Sequence, residues 1–386
     1  RRIPGGALLT SELFGYDGLT WSDPPQKGDL TSVRRYLDRT GEYVTRTMVP
    51  DAYGNVVSAT DETGITVTTD YDTGFGLFPV ATHNAAGDST TATWDFACGA
   101  VLQATDPNQQ STTSTYDVLC RPNRTDLPLG GYTQRYYLNI GDPLQQRTRV
   151  ETNAATGVSG PDWTEARFDG LGRTWREARR GPSTAASILR ETTYDARGGV
   201  ATVTEPFYAN ETGRVTSYTY DALGRVVRTD LPGGIAVTTS YDGDSVTVTD
   251  ANDNDVTTRY DAYGRPTLVE RTLGGQPVQT TSTFDALGRR VALSDPAGSH
   301  WAWQYDSLGR TWAEDDPDAG HREYEYDRAG RLLEQTDAKG QVTTLVYDAT
   351  VGRLLSRHNA AGTVNYVYSE PRAGYANRGR LTTVST

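Results

Sequence analysis

Four histidines, His83, His300, His321 and His358, and two cysteines, Cys98 and Cys120, are the side chains best suited to proton transfer or nucleophilic attack near neutral pH. The histidines occupy different slots, and none stands with a Ser or Cys in an order that a nucleophile–base–orienter triad uses, so no catalytic residue is assigned. Asp250-Ala251-Asn252-Asp253-Asn254-Asp255 carries the alternate oxygens of a calcium loop. Asp255, however, stands where such a loop turns on Gly, and Asp261 already opens the next turn, so no metal site is assigned either. No Gly-rich phosphate loop follows a strand and opens a helix, which leaves no cofactor site. Carboxylates are too numerous for an acid/base pair to be picked out. Nothing here points to an enzyme.

The carboxylates have another use. Tyr220-Asp221-Ala222-Leu223-Gly224-Arg225 recurs as Phe168-Asp169-Gly170-Leu171-Gly172-Arg173, Tyr260-Asp261-Ala262-Tyr263-Gly264-Arg265, Phe284-Asp285-Ala286-Leu287-Gly288-Arg289, Tyr305-Asp306-Ser307-Leu308-Gly309-Arg310 and Tyr326-Asp327-Arg328-Ala329-Gly330-Arg331. Edited copies begin at Asp51, Tyr71, Trp94, Tyr116, Tyr194, Tyr241 and Tyr347, and an eroded one at Tyr137, where Leu138 replaces the Asp. Asp at the first position and Gly three later predict a type I β-turn, the carboxylate accepting N–H groups two residues on. The aromatic ends one strand and the Arg begins the next, so the guanidinium could pair with the Asp or lie across an aromatic face. Lys27 and Lys339 are the only lysines among 37 basic residues. Selection for that geometry and a GC-rich genome explain the bias equally well.

A second turn lies midway between phrases, as in Asp295-Pro296-Ala297-Gly298, Asp337-Ala338-Lys339-Gly340, Asn84-Ala85-Ala86-Gly87 and Asn359-Ala360-Ala361-Gly362. From Asp285 the turn openers run Asp295, Asp306, Asp316, Asp327, Asp337, Asp348 and Asn359. Turns at that step, joined by Thr-, Val- and Tyr-rich segments, predict an all-β chain of tandem antiparallel hairpins, two strands and two turns per repeat. In Trp301-Ala302-Trp303-Gln304-Tyr305 the aromatics share one face, and Tyr218 with Tyr220, Tyr324 with Tyr326 and Tyr366 with Tyr368 repeat the spacing. These rings are expected to stack between neighbouring strands as a structural spine; a carbohydrate-binding strip is the functional alternative.

A chain that repeats every ~21 residues grows by stacking and does not build separate cores. About fourteen repeats supply roughly 28 strands, a strip on the order of 130 Å long. Open sheets rarely exceed ~10 strands without curling, so continuous pairing predicts a curved, spiralling strip, part of a hollow wall. The net charge of −12 argues against nucleic acid or an anionic membrane as partner. No apolar run reaches the length of a membrane helix, and no signal peptide is present. Met48 is the only methionine, from which the chain is expected to be a segment of something longer.

Two domains are expected: residues 1–50 as a lead-in β strip, containing the loop Asp23-Pro24-Pro25-Gln26-Lys27-Gly28-Asp29, and residues 51–386 as the repeat region. The interval at about 139–165, with Ala154-Ala155-Thr156-Gly157-Val158-Ser159-Gly160-Pro161, is expected to be loop-rich, and another loop runs from Gly181 to Ser187.

The repeated phrase resembles the Tyr-Asp-x-x-Gly-Arg signature of RHS/YD-repeat proteins, over roughly Asp51 to Arg380. Gly28-Asp29-Leu30-Thr31-Ser32 and Gly41-Glu42-Tyr43-Val44-Thr45 also resemble the region that precedes such repeats in large secreted bacterial members. The resemblance implies a β-strip spiralling into a shell that encloses a C-terminal toxic domain in bacterial toxin complexes and polymorphic toxins. Other relatives act at cell surfaces, and the teneurins use a similar barrel in adhesion. The self-cleaving plug segment that ends many such shells has no counterpart in this sequence. The implied partners are the remainder of a longer polypeptide and an enclosed toxin, in a secreted or cell-surface setting; a surface recognition stalk for carbohydrate or protein is the alternative.

Cys98 and Cys120 each stand three residues after the opening Asp of consecutive phrases, which suggests a disulfide stapling adjacent turns. Equivalent positions in successive repeats lie two strands apart, about 9.6 Å in a regular sheet, whereas a disulfide needs Cα atoms within roughly 4.4–6.8 Å. Turns lean together more readily than strands, so both states stay open. A bridge would imply maturation in an oxidising compartment.

Overall fold

The structure is a computed structural model that describes residues 10–154, 159–182 and 186–386. Among the described residues there are 33 strands and, as the one helical element, a single three-residue 3-10 turn at Pro128–Gly130. Pairing is antiparallel from hairpin to hairpin, as between Leu30–Leu37 and Glu42–Pro50 or Gly320–Tyr326 and Leu332–Thr336. The all-β hairpin architecture expected from the turn spacing is therefore what the chain adopts.

The phrases form the same turn throughout. Gly224 N–H donates to Asp221 C=O at 3.1 Å and Asp221 N–H to Arg225 C=O at 2.9 Å, while the register shifts by one between Thr219 and Tyr220. This is a type I turn followed by a left-handed residue, the three-residue hairpin that carries a bulge. The left-handed residue is the phrase glycine, with φ from +76° to +94° at Gly172, Gly224, Gly264, Gly288, Gly309 and Gly330. Most of these have open space where a Cβ would go, so it is backbone conformation rather than crowding that selects Gly.

Two compact units result, one comprising the residues up to Thr112 with Phe284–Leu293 and Ser299–Thr386, the other Thr113–Thr283 with Ser294–Gly298. In the second unit the hairpins follow one another in order, with one irregularity. Strand Ser187–Tyr194 pairs with Val200–Thr204 along one half and with the short strand Phe207–Tyr208 along the other. The interval expected to be loop-rich holds the strand Arg147–Thr152, which pairs with Tyr132–Leu138 on one side and Asp162–Phe168 on the other. Arg-Thr-Arg-Val-Glu-Thr has no turn phrase at its end to betray it, yet its alternation suits a half-buried strand. Residues 155–158 of the expected surface loop, and 183–185 of the second one, lie outside the described residues.

The first unit is assembled from two runs of hairpins far apart in sequence. Residues 12–105 form one, in which Glu42–Pro50 pairs directly with Val56–Thr60, so the lead-in strands continue into the repeats without a break. Residues 300–385 form the other. They meet along their turns: the midway turns at Asp38, Asp61, Asn84 and Asp106 face the phrase turns at Asp306, Asp327 and Asp348 and the loop around Arg378.

At one end Ser307 Oγ donates to Tyr36 C=O at 2.5 Å, Ser307 N–H to Asp38 Oδ1 at 2.8 Å, and Asp38 N–H to Ser307 Oγ at 3.0 Å. Beside them the Arg39 guanidinium lies 3.9 Å from the centre of a Trp312 ring. Further along, Arg328 pairs with Glu42 at 3.2 Å, and the Asp88 carboxylate is held by Arg353 at 2.9 Å and Arg378 at 2.6 Å. Asn108 then exchanges two hydrogen bonds with the Arg378 backbone, at 2.6 and 3.1 Å. The partners advance together, so the runs lie side by side in one direction, repeat against repeat.

Burial follows this seam. Apart from Gly15 in the lead-in, the residues buried among those described are Leu37, Val44, Asp88, Ala313, Asp306 and Ser307, all in the first unit. A strip one sheet thick leaves its faces half exposed, so its deepest packing arises where one stretch of strip is laid against another.

Candidate functional site

The residues singled out by the repeat come together as a zipper along the phrase edge. In each clear copy the Asp Oδ1 accepts backbone N–H groups, at Asp221 from Leu223 and Arg225, both at 2.9 Å. The other carboxylate oxygen takes the Arg Nε, at 2.8 Å in Asp169–Arg173 and Asp221–Arg225, 2.6 Å in Asp261–Arg265, Asp285–Arg289 and Asp306–Arg310, and 2.5 Å in Asp327–Arg331. Both kinds of bond favour the ionised carboxylate. The Arg225 N–H and then its guanidinium hold Asp221 below the usual carboxylate range, and at Asp261 the Arg265 side chain is the larger cause.

In five of the six clear copies the guanidinium lies over the aromatic of the following phrase, while Arg265 lies 5.0 Å from the ring centre of Tyr263 in its own phrase. The distances to the ring centre are 4.3 Å for Arg173 on Tyr194, 4.1 Å for Arg225 on Tyr241, 4.9 Å for Arg289 on Tyr305, and 5.0 Å for both Arg310 on Tyr326 and Arg331 on Tyr347. The tyrosine hydroxyls reach back to the preceding repeat. Tyr194 donates to Thr174 C=O at 2.6 Å, Tyr220 to Val200 C=O at 2.9 Å and Tyr326 to Thr311 C=O at 2.7 Å. A further N–H of Arg310 donates to Asp327 C=O at 2.8 Å. One Arg thus binds its own turn through Nε, the next turn through Nη1 and the next ring through its face. A lysine offers neither the fork nor the plane.

This corrects the expected ring-on-ring spine. Successive phrase aromatics lie two strands, about 9.6 Å, apart, beyond the 4.5–7 Å at which rings interact. The guanidinium fills that gap. Direct ring pairs occur within residues 36–96, as Tyr36 with Tyr43, Phe75 with Phe96, and Phe78 with both Trp94 and Phe96. The eroded copy keeps its place, for Tyr137 receives Arg121 at 4.2 Å and donates to Pro122 C=O at 3.2 Å.

Three of the four histidines, His83, His321 and His358, turn out to share a slot. His83 Nδ1 lies 2.9 Å from Ser89 Oγ and Nε2 3.0 Å from Asp70 Oδ2, a serine–histidine–aspartate contact that sequence order did not reveal. His321 with Asp315 at 2.7 Å and His358 with Thr363 at 2.8 Å occupy the same cross-strand position beside a midway turn, as do Thr60 with Thr66 and Thr249 with Asp255. A position filled interchangeably by Thr, Asp and His is a cross-strand pairing site. At Asp250 the carboxylate is taken up by the N–H groups of Asn252 and Asn254, at 2.8 and 3.0 Å, and Asp253 takes the left-handed slot with φ +60°. Among the described residues no cluster of His, Cys, Asp and Glu could hold a metal ion.

In the lead-in, Asp17 is the hub of the loop that follows it. Its carboxylate accepts the N–H groups of Gln26 at 2.6 Å, Lys27 at 2.9 Å, Gly28 at 3.0 Å and Asp29 at 2.9 Å, gathering the lead-in loop around one charge. Neither cysteine is a free thiol. They are not equivalent in their turns, since Cys120 itself adopts the left-handed conformation, φ +60°, whereas Gly99 does so beside Cys98.

Residues 284–321 and 326–364 match the RHS repeat family. That stretch of the chain carries RHS repeats. In fold it is similar to the crystal structure of TcdB2-TccC3, with a TM-score of 0.80 at 15% identity over 94% of this chain and 25% of that one. The crystal structure of TcdB2-TccC3-Cdc42 gives 0.78 at 14% identity, covering 94% and 27%, and the Photorhabdus luminescens Tc holotoxin pore 0.77 at 14%, covering 94% and 27%. At such identity the likeness is one of fold. The chain spans about a quarter of the length of these neighbours. No curated protein matches it in sequence.

Proposed function

We propose that the chain is a non-catalytic wall segment of a large secreted bacterial RHS-repeat protein, part of a β-shell that encloses a C-terminal toxin or effector. The observation that carries this reading is the seam of the first unit. A strip that merely extended as a stalk would bring no residue into contact with another 270 positions away, whereas Ser307 meets Tyr36 and Arg378 meets Asp88. A strip that returns alongside itself is the element from which a closed wall is wound. The phrase residues Tyr, Asp, Gly and Arg act in this reading as fasteners between hairpins, and the acidic surface as a solubilising one.

Limited proteolysis of the full-length protein tests it. The region that follows the repeats should resist cleavage while the repeats are folded and become sensitive when they are unfolded. Cleavage at the same rate in both states contradicts enclosure. Saturable binding of the isolated repeats to a glycan array would instead support the surface-recognition reading.

A further inference from the structure

One repeat of the second unit departs from the pattern, and a cavity lies at the departure. Where another repeat makes a tight midway turn at Asp250–Asp253, the paired strands Val200–Thr204 and Val215–Tyr220 are joined by an excursion over residues 205–214. Glu205 N–H closes its base on Arg214 C=O at 2.8 Å. The short strand Phe207–Tyr208 turns back to pair with Ile188 and Leu189, and Ala209 N–H donates to Ser187 C=O at 3.0 Å. Gly213 lies so near the Phe207 ring that a methyl there would come within 2.6 Å of it. The excursion is thereby pinned to the sheet, and it brings Pro206 to the wall of a cavity of about 420 Å³.

The floor of that cavity follows from the strand register. Val150, Thr164, Arg179 and Ile188 stand directly opposite one another on four neighbouring strands, and Thr148, Ala166, Glu177 and Arg190 form the next row. Directly opposite residues share a face of the sheet, so both rows lie on the cavity side. The small side chains of Thr148, Thr164 and Ala166 leave the depression, and Val150 and Ile188 supply apolar area beside it. Sites for small organic molecules occupy about 300–1,000 Å³, a range that includes this cavity.

Its charges are not balanced. Glu177 and Arg190 stand opposite each other but 3.7 Å apart, a loose pair with both side chains more than half exposed. Arg179 is exposed, has the uncharged Thr164 and Ile188 on either side, and enters no ion pair among the described residues. Glu165 also borders the cavity, but its carboxylate is engaged by Arg147 and Arg167. On the other face of the same strands the arginines are matched, Arg149 with Glu151 at 2.8 Å, Arg167 with Glu165 at 3.0 Å and Arg176 with Glu191. In a chain of net charge −12, a cavity with a surplus guanidinium suits an anion.

We propose that this cavity binds a small amphiphilic anion, its apolar body on Val150, Ala166 and Ile188 against Pro206 and its carboxylate in the fork of Arg179. The site lies within one face of the second unit and does not depend on the wall reading.

Isothermal titration calorimetry of the whole chain with decanoate, kept below its micelle concentration, tests it. Saturable binding of one decanoate per chain is expected. Arg179→Gln should weaken binding by about tenfold or more, as for loss of a charged hydrogen bond, and Ala166→Phe, which fills the depression, should abolish it. Arg259→Gln, at an exposed arginine of the same unit, should bind as wild type does. Decyltrimethylammonium, with the same chain length and the opposite charge, should bind weaker by about tenfold or more, and propionate, which lacks the body, should not compete. Each variant should keep the β circular dichroism spectrum; if Ala166→Phe loses it, Arg179→Gln and the cationic probe still decide. A wild-type chain that takes up no decanoate overturns the proposal, as does equal binding of the cationic amphiphile or an Arg179→Gln chain that binds like wild type. Equal losses in Arg179→Gln and Arg259→Gln would show attraction to the surface at large and overturn it too.

Discussion

Replacing Asp306 by Ala should damage the protein far more than the same change at Asp221, although the two residues open phrases that differ only in Ser307 against Ala222. Asp306 is 1% exposed. Its carboxylate accepts the N–H groups of Leu308 and Arg310, both at 2.9 Å, and the Arg310 Nε at 2.6 Å. The Arg310 side chain is itself only 15% exposed. Truncation leaves two turn N–H groups without their acceptor and a guanidinium without its counter-ion, beneath the run that carries Tyr36 and Asp38. Removing one member of a buried ion pair typically costs about 3–5 kcal/mol, most of it the desolvation of the partner left behind. At Asp221 the Arg225 side chain is 44% exposed, and water can replace the carboxylate at both the N–H groups and the charge.

Urea unfolding followed by tryptophan fluorescence would measure the difference, since Trp301, Trp303 and Trp312 lie close to Asp306 in sequence and on paired strands. The midpoint for Asp306→Ala should fall by far more than that for Asp221→Ala, with the slope unchanged. Asp306→Asn, which keeps an acceptor for the N–H groups but not the charge, should fall between. Equal losses for the two Ala variants would refute the argument that the seam makes this copy of the phrase special.

Three further outcomes are expected. Arg310→Lys should lower the midpoint although charge is kept, because the Nε bond, the Nη1 bond to Asp327 C=O and the contact with the Tyr326 ring are all lost; a midpoint equal to wild type counts against the zipper. Acid should unfold the repeats within a definite window: the Gly28 N–H and its neighbours bring Asp17 to about 2, and the Phe78 and Phe75 N–H groups bring Asp72 to about 2. Folded values depressed below the unfolded one give stability that is present above about pH 4 and lost as pH falls toward 2, so a circular dichroism titration flat from pH 7 to pH 2 contradicts this. Finally, we propose that Cys98 and Cys120 are bridged to each other. Thiol labelling of the denatured, unreduced protein should find no reactive thiol, and reduction should lower stability by roughly 3 kcal/mol in the chain-entropy model; two labelled thiols rule the bridge out.

The hairpin architecture was legible because its signal is conformational and local. An Asp followed by a Gly three residues on states a turn, and a step of ten or eleven residues leaves room for strands only. The edited phrase at Tyr116 could be placed for the same reason, although Cys120 occupies its left-handed slot. The strand Arg147–Thr152 was missed because no phrase marks its end. That the Arg could pair with its Asp and lie across an aromatic face was legible; which ring it meets was not, because in a meander the side chain leans across the next hairpin to a ring some 16–21 residues away, as from Arg225 to Tyr241 or Arg173 to Tyr194. The seam could not be read at all. Ser307, Asp38, Asp88 and Arg378 are ordinary turn residues, and nothing local to them marks which of them meet.

The seam is also where the account is most exposed to test, and a double-mutant cycle on Asp88 and Arg353 addresses it directly. These residues are 265 positions apart, joined at 2.9 Å, with side chains 9% and 23% exposed. If the two runs pack side by side as described, the loss in the Asp88→Ala/Arg353→Ala double variant should differ from the sum of the single losses by about 0.5–3 kcal/mol, the coupling expected of groups in contact. Losses that add to within about 0.5 kcal/mol would show that the two residues do not meet, and that the strip does not return alongside itself.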